Sequence, residues 1–247
     1  MPHPFPTSTA GAVRRTWATH VLALGLALGL AGLLAGVAPA AAAPPLSPAR
    51  QAQLDAAVVD YASGHFAAAQ RAFESLARAG VPAAAYNLAV MHQRGEHRQA
   101  SPAQARRWLE RAARGGFVTA QFMLAQSLET GSLGRRDTAA AQRWYAVAAE
   151  GGSVEAMVER ATAHYLGRHA PRDLALALHW YREAAKGGDV GAQYLVASMF
   201  EHGEGTEPDL RMARYWYGVA AQNGDDAAPG KLRELQERAE REARPGA

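Results

Sequence analysis

Apolar and polar residues follow one another along this chain with a helical period, and the whole pattern recurs every 36 residues. Alanines lie three to five positions apart, the spacing of one buried helix face, and a Gly or Gly-Gly pair closes each segment. Four of the five tryptophans mark the recurrence: Trp108, Trp144, Trp180 and Trp216. Each of these tryptophans is expected to be buried and to fill a large volume between hairpins. Such a repeat predicts stacked two-helix units rather than a single globular core.

The pattern of each unit predicts two antiparallel helices. The clearest example is the pair at residues Thr119 to Thr130 and Thr138 to Glu150. A residue suited to N-capping precedes the second helix in every unit. These residues are Ser101, Asp137, Asp173 and Asp209. Gly-Gly or Asn-Gly ends that helix, since glycine adopts a left-handed backbone at little cost. No segment predicts a strand, and four full units are expected over residues 84–224.

The flanking segments extend the array at both ends. Residues 46–83 predict a first hairpin, with Ser47 before Pro48 as its helix cap. Residues 225–247 predict a capping helix and tail, with Leu232 and Leu235 facing the preceding hairpin. A terminal unit needs such a helix because its outer face must be polar. The chain is thus expected to be all-α, with about eleven helices between residues 46 and 244.

Residues 1–43 have a different character. Arg14 and Arg15 precede an uncharged run of Val, Leu, Ala and Gly from Val21 to Ala38, and small residues then offer several A-x-A sequences. This order is typical of a signal peptide, with cleavage expected between Ala40 and Ala43, and it predicts a location in the periplasm or cell envelope. The alternative is an uncleaved anchor, since about 18 apolar residues just span a bilayer. The high Ala and Gly content is weakly hydrophobic for that role.

The amino-acid composition argues against several kinds of partner and site. Lys and Arg total 26 and Asp and Glu 23; because residues 1–43 hold two Arg and no acid, the rest of the chain has 24 against 23. So small an excess gives no electrostatic reason to expect a nucleic-acid partner. The chain contains no cysteine, which excludes disulfides, Cys-based zinc sites and Cys nucleophiles.

The units match a known repeat in several segments. The first reads AAYNLAVMH from Ala84, then Gly95, ARRWLERAA from Ala105 and GFVTA from Gly116, and WYREAAKGGD recurs from Trp180. These segments resemble Sel1-like repeats, and residues 46–83 resemble the related tetratricopeptide hairpin. The resemblance implies a right-handed α/α solenoid that serves as a protein-interaction scaffold. The chain departs from the pattern where Arg160 replaces an apolar residue and where His92, Leu128 and His164 replace an aromatic one.

Sequence motifs for catalysis are absent. There is no G-x-S-x-G, S-x-x-K, H-E-x-x-H or phosphate-binding glycine motif. His92 and His97, like His164 and His169, are five residues apart across a predicted helix end, so we expect them to point in different directions and to bind no metal. Arginines on second helices are interrupted by acids, which favours a solvated face. We expect no enzyme activity, cofactor or metal.

The resemblance also implies where a partner binds. In tetratricopeptide proteins the first helix of each hairpin lines the concave side, with its ligand face turned away from the buried Ala and Leu positions. Helical spacing maps that face onto three residues per unit. They are Tyr86, Val90, Gln93, Phe122, Gln126, Glu129, Val158, Thr162, Tyr165, Tyr194, Ser198 and Glu201. This mixture suits an extended peptide, although the aromatic members are equally consistent with packing between adjacent first helices.

These observations predict an exported, non-enzymatic scaffold that binds a partner protein or peptide in the bacterial cell envelope. Two other classes of function stay open at this point. One is an envelope hydrolase, since cysteine-rich members of the family have been linked to β-lactam hydrolysis; this chain lacks their cysteines. The other is a component that binds or secretes exopolysaccharide.

Overall fold

The computed structural model describes residues 45–243 apart from Ala170, and these residues contain eleven α-helices and no strand. The helices are α1 Pro48–Ala62, α2 Phe66–Arg78, α3 Pro82–Arg94, α4 Pro102–Arg114, α5 Val118–Thr130, α6 Thr138–Glu150, α7 Val154–Leu166, α8 Leu174–Lys186, α9 Val190–His202, α10 Leu210–Gln222 and α11 Ala228–Ala243. The predicted all-α fold is confirmed. The predicted signal peptide lies outside the described residues. Among the helices described, none is long and apolar enough to cross a membrane.

Each helix packs mainly against the helix before it and the helix after it. The pairs α3–α4, α5–α6, α7–α8 and α9–α10 are the hairpins of the four units, and each second helix also packs against the first helix of the next unit. All eight of these helices have 13 residues. The result is a right-handed α/α solenoid that is held together by nearest-neighbour contacts.

The predicted caps fix where the second helices begin. The Asp137 carboxylate accepts a hydrogen bond from the backbone N–H of Ala140 at 2.9 Å, and Ser101 Oγ accepts one from the N–H of Gln104 at 3.2 Å. Asp173 and Asp209 form equivalent caps. The second residue of each Gly-Gly pair has the left-handed backbone, as at Gly152 with φ of 96°, whereas Gly151 remains helical.

Tyrosine, and not tryptophan, is the most deeply buried aromatic residue of α6, α8 and α10. Tyr145, Tyr181 and Tyr217 are at most 1% exposed. Trp216 is also buried, but the preceding tryptophans of the series are only partly buried. The expectation that these tryptophans fill the space between hairpins is therefore only partly right. The neighbouring tyrosine is better suited to the interior because its hydroxyl reaches a polar partner on the first helix, described below.

Arg160 shows how an unusual residue is accommodated. It occupies the repeat position of Leu88, Leu124 and Val196, which are at most 1% exposed. Its guanidinium lies over the Trp180 ring, 4.6 Å from the ring centroid. It also lies 3.6 Å from a carboxylate oxygen of Glu150. The long side chain thus places its charge outside the core, between the Trp180 ring and the Glu150 carboxylate.

Candidate partner-binding face

The twelve predicted residues lie on α3, α5, α7 and α9, three on each helix. None of the twelve is buried as a whole: Gln93 is exposed and the others are partly exposed. Other residues of the same helices, such as Leu88, Leu124 and Val196, are fully buried. We call these twelve residues the first-helix face. Their contact with a partner stays a prediction.

The aromatic rings of the first-helix face contact other rings of the chain. Phe122 lies 5.8 Å from Tyr145 and Tyr194 lies 5.1 Å from Tyr217, both within one unit and measured between ring centroids. Tyr86 instead lies 5.0 Å from Phe117, the residue before α5. These rings therefore help to pack the solenoid and retain one partly exposed side.

Buried tyrosines of the second helices form hydrogen bonds with residues of the first-helix face. The hydroxyl of Tyr145 donates to a carboxylate oxygen of Glu129 at 2.8 Å, and Tyr217 donates to Glu201 at 2.7 Å. In the unit between them, the Tyr181 hydroxyl lies 2.9 Å from Thr162 Oγ1. Three consecutive units thus hold a polar group of the face in a fixed position by the same device.

Burial controls the protonation of these hydroxyls. Burial, followed by the hydrogen bond to Glu129, raises the pKa of Tyr145 well above its ordinary value, and the same causes act on Tyr217 through Glu201. Burial raises the pKa of Tyr181 to about 12. All three hydroxyls are therefore protonated at neutral pH, and each acid that accepts a hydrogen bond from one of them keeps further lone pairs for another donor.

Further Tyr–Glu contacts link consecutive units. The Tyr165 hydroxyl donates to Glu204, just after α9, at 2.9 Å, and the Tyr61 hydroxyl donates to Glu96, just after α3, at 2.6 Å. The sequence pattern does not predict these contacts of Tyr61, Glu96 and Glu204. The 36-residue step does not reveal them, because the two acids follow the glycine that ends the first helix and lie in the variable connectors.

The two histidines paired in the first unit do meet, contrary to prediction. The rings of His92 and His97 stack with their centroids 4.0 Å apart. The left-handed Gly95 ends α3 between them and turns the chain back. His97 Nδ1 accepts a hydrogen bond from the N–H of Gln99, and its Nε2 lies 3.7 Å from Glu74. Within the part of the chain that the structure describes, no three His, Asp or Glu residues are placed to hold a metal ion.

The hairpin array and its repeated polar face define the chain as an α/α solenoid repeat protein. The Sel1 repeat family matches residues 82–117, 118–153, 154–189 and 190–225, which together make up more than half of the chain. The chain therefore belongs to the Sel1 repeat family. Sel1 repeats generally mediate protein interactions.

Solved structures of two Sel1-type proteins are similar. A protective antigen of uropathogenic Escherichia coli with an SLR fold is 27% identical, with a TM-score of 0.69, over 77% of this chain and 42% of that protein. The chain thus spans less than half the length of that antigen. A Sel1 repeat protein from Oxalobacter formigenes is 33% identical over 51% of this chain and 95% of its own, with a TM-score of 0.49. No curated protein matches the chain.

Proposed function

We propose that this chain is an exported, non-enzymatic scaffold of the bacterial cell envelope, whose first-helix face binds an extended segment of a partner protein. One observation carries the proposal: the twelve residues of the face stay at least partly exposed in four consecutive units, although buried positions adjoin them on each helix. A row of this kind offers an extended segment a similar contact at each step along the array.

The fixed polar groups of the face support binding rather than simple solvation. Glu129 and Thr162 are each held by a buried tyrosine hydroxyl. Groups that are already in place lose little conformational entropy when a ligand binds. The partly exposed rings of Phe122 and Tyr194 add apolar surface beside them. This combination of ordered polar groups and aromatic surface favours a peptide ligand.

Export rests on the first 43 residues and their order of charged, apolar and small segments. The lack of enzyme activity is supported by the family, whose repeats generally form scaffolds. It is also supported by the absence of the catalytic motifs named above.

The proposal is tested with peptides selected on the purified protein from a random peptide library. Combining Gln126→Ala, Thr162→Ala and Ser198→Ala should weaken the affinity of these peptides by about tenfold or more, because contacts on adjacent units act together. Fluorescence anisotropy measures the dissociation constants. Since Thr162 contacts the Tyr181 hydroxyl, the double variant Gln126→Ala with Ser198→Ala provides a version that leaves this bond intact.

The control combines Arg107→Ala with Arg143→Ala on the second helices, where both residues are exposed. This pair should leave the affinity unchanged. Full affinity in the triple variant, or loss in the arginine pair alone, would place the binding surface on the second helices and contradict the proposal.

A further inference from the structure

Two acids of the first-helix face occupy the same repeat position, but the residues that follow them at the next first helix have opposite charges. Glu129 on α5 and Glu201 on α9 are 72 residues apart, and each accepts a hydrogen bond from a second-helix tyrosine. The residue 30 positions after Glu129 is Glu159, whereas the residue 30 positions after Glu201 is Lys231. Glu159 lies on α7, the next first helix, and Lys231 lies on α11, which follows α10 in the same way.

Buried alanines show that Glu159 on α7 and Lys231 on α11 occupy equivalent positions of the repeat. Ala156 on α7 and Ala228 on α11 are equivalent alanines, and both have no exposed surface. Glu159 and Lys231 each lie three residues after that alanine. The two first-helix pairs, α5 with α7 and α9 with α11, therefore place these side chains in corresponding positions, and the charge at this position is reversed between them.

At the C-terminal end of the array, the carboxylate of Glu201 has a cationic partner in the chain itself. The Lys231 ammonium lies 3.6 Å from a carboxylate oxygen of Glu201 and 3.1 Å from Glu234. The Glu201 side chain retains only 8% exposure. Glu201 therefore has a hydroxyl donor from Tyr217 and a cation from the neighbouring first helix. This chain itself thus shows that the position accepts a lysine side chain.

In the middle of the array the cation is replaced by a second acid. Glu159 lies on the exposed side of α7, yet desolvation of its carboxylate, followed by the negative charge of Glu129, raises its pKa. The charge of Arg168 offsets only part of this effect. The charges of Glu129 and Glu159 both act on the Tyr145 hydroxyl as well. Among the described residues, neither acid has a Lys or Arg nitrogen within 4.0 Å.

We propose that Glu129 and Glu159 together bind a lysine or arginine side chain of the partner segment. The partner would then supply in trans the cation that Lys231 supplies at Glu201. This inference rests on the proposed function, because the cation arrives on a segment bound along the first-helix face. Two carboxylates, one of them held by the Tyr145 hydroxyl, match a cationic group with several N–H donors through charge-assisted hydrogen bonds.

The first test restores the Lys231 arrangement in the middle of the array. Glu159→Lys replaces two like charges by an opposite pair, so the melting temperature should rise by about 2–4 °C at low ionic strength. The rise should shrink at high ionic strength, because salt screens both the repulsion and the new attraction. The matched control is Asp226→Lys, the reversal of an exposed acid before α11, which should give a smaller change. A melting temperature that is unchanged or lower in Glu159→Lys would overturn the like-charge premise.

The second test selects peptides from a random library on the full chain and on both variants. Peptides selected on the wild type and on Asp226→Lys should be enriched in Lys and Arg. The wild-type peptides should bind Glu159→Lys about tenfold more weakly or worse, because a fixed cation then occupies the position. Replacing the basic residue of a selected peptide by norleucine should produce a similar loss on the wild type and none on Glu159→Lys.

The outcomes separate this inference from the proposed function. Suppose that the selected peptides lack basic residues but depend on Gln126, Thr162 and Ser198. This result would overturn the proposed binding of a basic side chain by Glu129 and Glu159, and it would still support binding at the first-helix face. Basic peptides that bind Glu159→Lys with full affinity would overturn the proposed binding of a basic side chain as well. Failure to select any peptide would contradict both proposals.

Discussion

Asn223 donates a hydrogen bond from its side-chain Nδ2 to Oε1 of Gln193, 3.0 Å away. Gln193 in turn donates from Nε2 to the carbonyl of Ala185 at 3.1 Å, so both ends of this buried amide are paired. Gln121, two units earlier, makes the same bond to the carbonyl of Ala113 at 3.2 Å, but its Oε1 has no partner. The repeat position of Asn223 is there occupied by Gly151. A buried acceptor is thus left unsatisfied for lack of one side chain.

Gly151→Asn should therefore stabilise the protein by about 1 kcal/mol, because its amide would reach the free oxygen of Gln121. Gly151 has φ −77° and ψ −2°, a conformation open to asparagine. A Cβ there would lie 3.0 Å from Val118 Cγ2, which must shift slightly. Urea unfolding should show a higher midpoint, and thermal unfolding a rise of about 2–4 °C.

The control for this substitution is Gly187→Asn, at the same place one unit later. The residue that corresponds to Gln121 is there Met157, so the new amide has no acceptor to reach. The added Cβ would also approach Val154 Cγ2 to 2.5 Å. Gly187→Asn should therefore destabilise the protein, and a gain equal to that of Gly151→Asn would show that the hydrogen bond is not the cause.

Truncation should distinguish the two adjacent aromatic residues of α6. Tyr145 is 1% exposed, and Tyr145→Ala should cost about 3–5 kcal/mol of the free energy of unfolding, since it leaves a cavity and removes the donor to Glu129. Trp144→Ala should cost less, because Trp144 is partly exposed. Arg241→Ala, at the exposed end of α11, should stay within about 0.5 kcal/mol of the wild type. A larger loss for Trp144→Ala than for Tyr145→Ala would restore tryptophan as the main packing residue.

Acid should destabilise the first unit through His92. Burial, followed by the charge of the stacked His97, lowers the pKa of His92 below 6.5. A base with a depressed pKa contributes full stability above its unfolded-state pKa, and this contribution is lost as the pH falls through the folded-state pKa. His92→Leu, which copies Leu128 in the equivalent position, should reduce the loss of stability as the pH falls below 6.5.

Urea unfolding of His92→Leu at several pH values measures this effect. The control is His179→Gln, at an exposed histidine of α8, which should keep the acid sensitivity of the wild type. If the pH dependence of His92→Leu equals that of the wild type, the stacked pair is not the acid-sensitive element.

Processing gives a prediction for the N-terminal segment. If residues 1–43 include a cleaved signal peptide, protein isolated from a periplasmic extract should begin near residues 41–44. N-terminal sequencing and intact mass measure this directly. A chain that retains Met1 and fractionates with membranes would instead support the uncleaved anchor.

Local sequence patterns predicted the helices closely. The pair of helices expected at 119–130 and 138–150 is observed as Val118–Thr130 and Thr138–Glu150. Caps and glycines act within a few residues, so they are visible in the sequence itself. The burial of Tyr145 in preference to Trp144 was not visible in the same way, because it depends on how α6 is rotated against its neighbours. The stacking of His92 on His97 likewise depends on the path of the connector after Gly95.

The candidate face was predicted as a set of positions, but its internal contacts were not. The spacing of 16 residues between Glu129 and Tyr145 recurs between Glu201 and Tyr217, and it was present in the sequence. Its meaning depends on the distance between two antiparallel helices, which periodicity alone does not give. The effect of the Glu129 charge on Glu159 depends on a further fact, namely which side chains of neighbouring first helices come together.

The paired bonds of Gln121 and Gln193 to the carbonyls of Ala113 and Ala185 have a consequence for how such an array changes length. Removal of residues 118–189 would set Gln193 against Ala113 and preserve that contact across the new junction. Removal of residues 118–153 alone would set Met157 there, without an amide to donate. Removal of residues 154–189 alone would instead set Gln193 against Ala149 and keep both amide contacts, so the hairpin that this array can lose most easily is the one whose first helix carries Met157 in place of the glutamine.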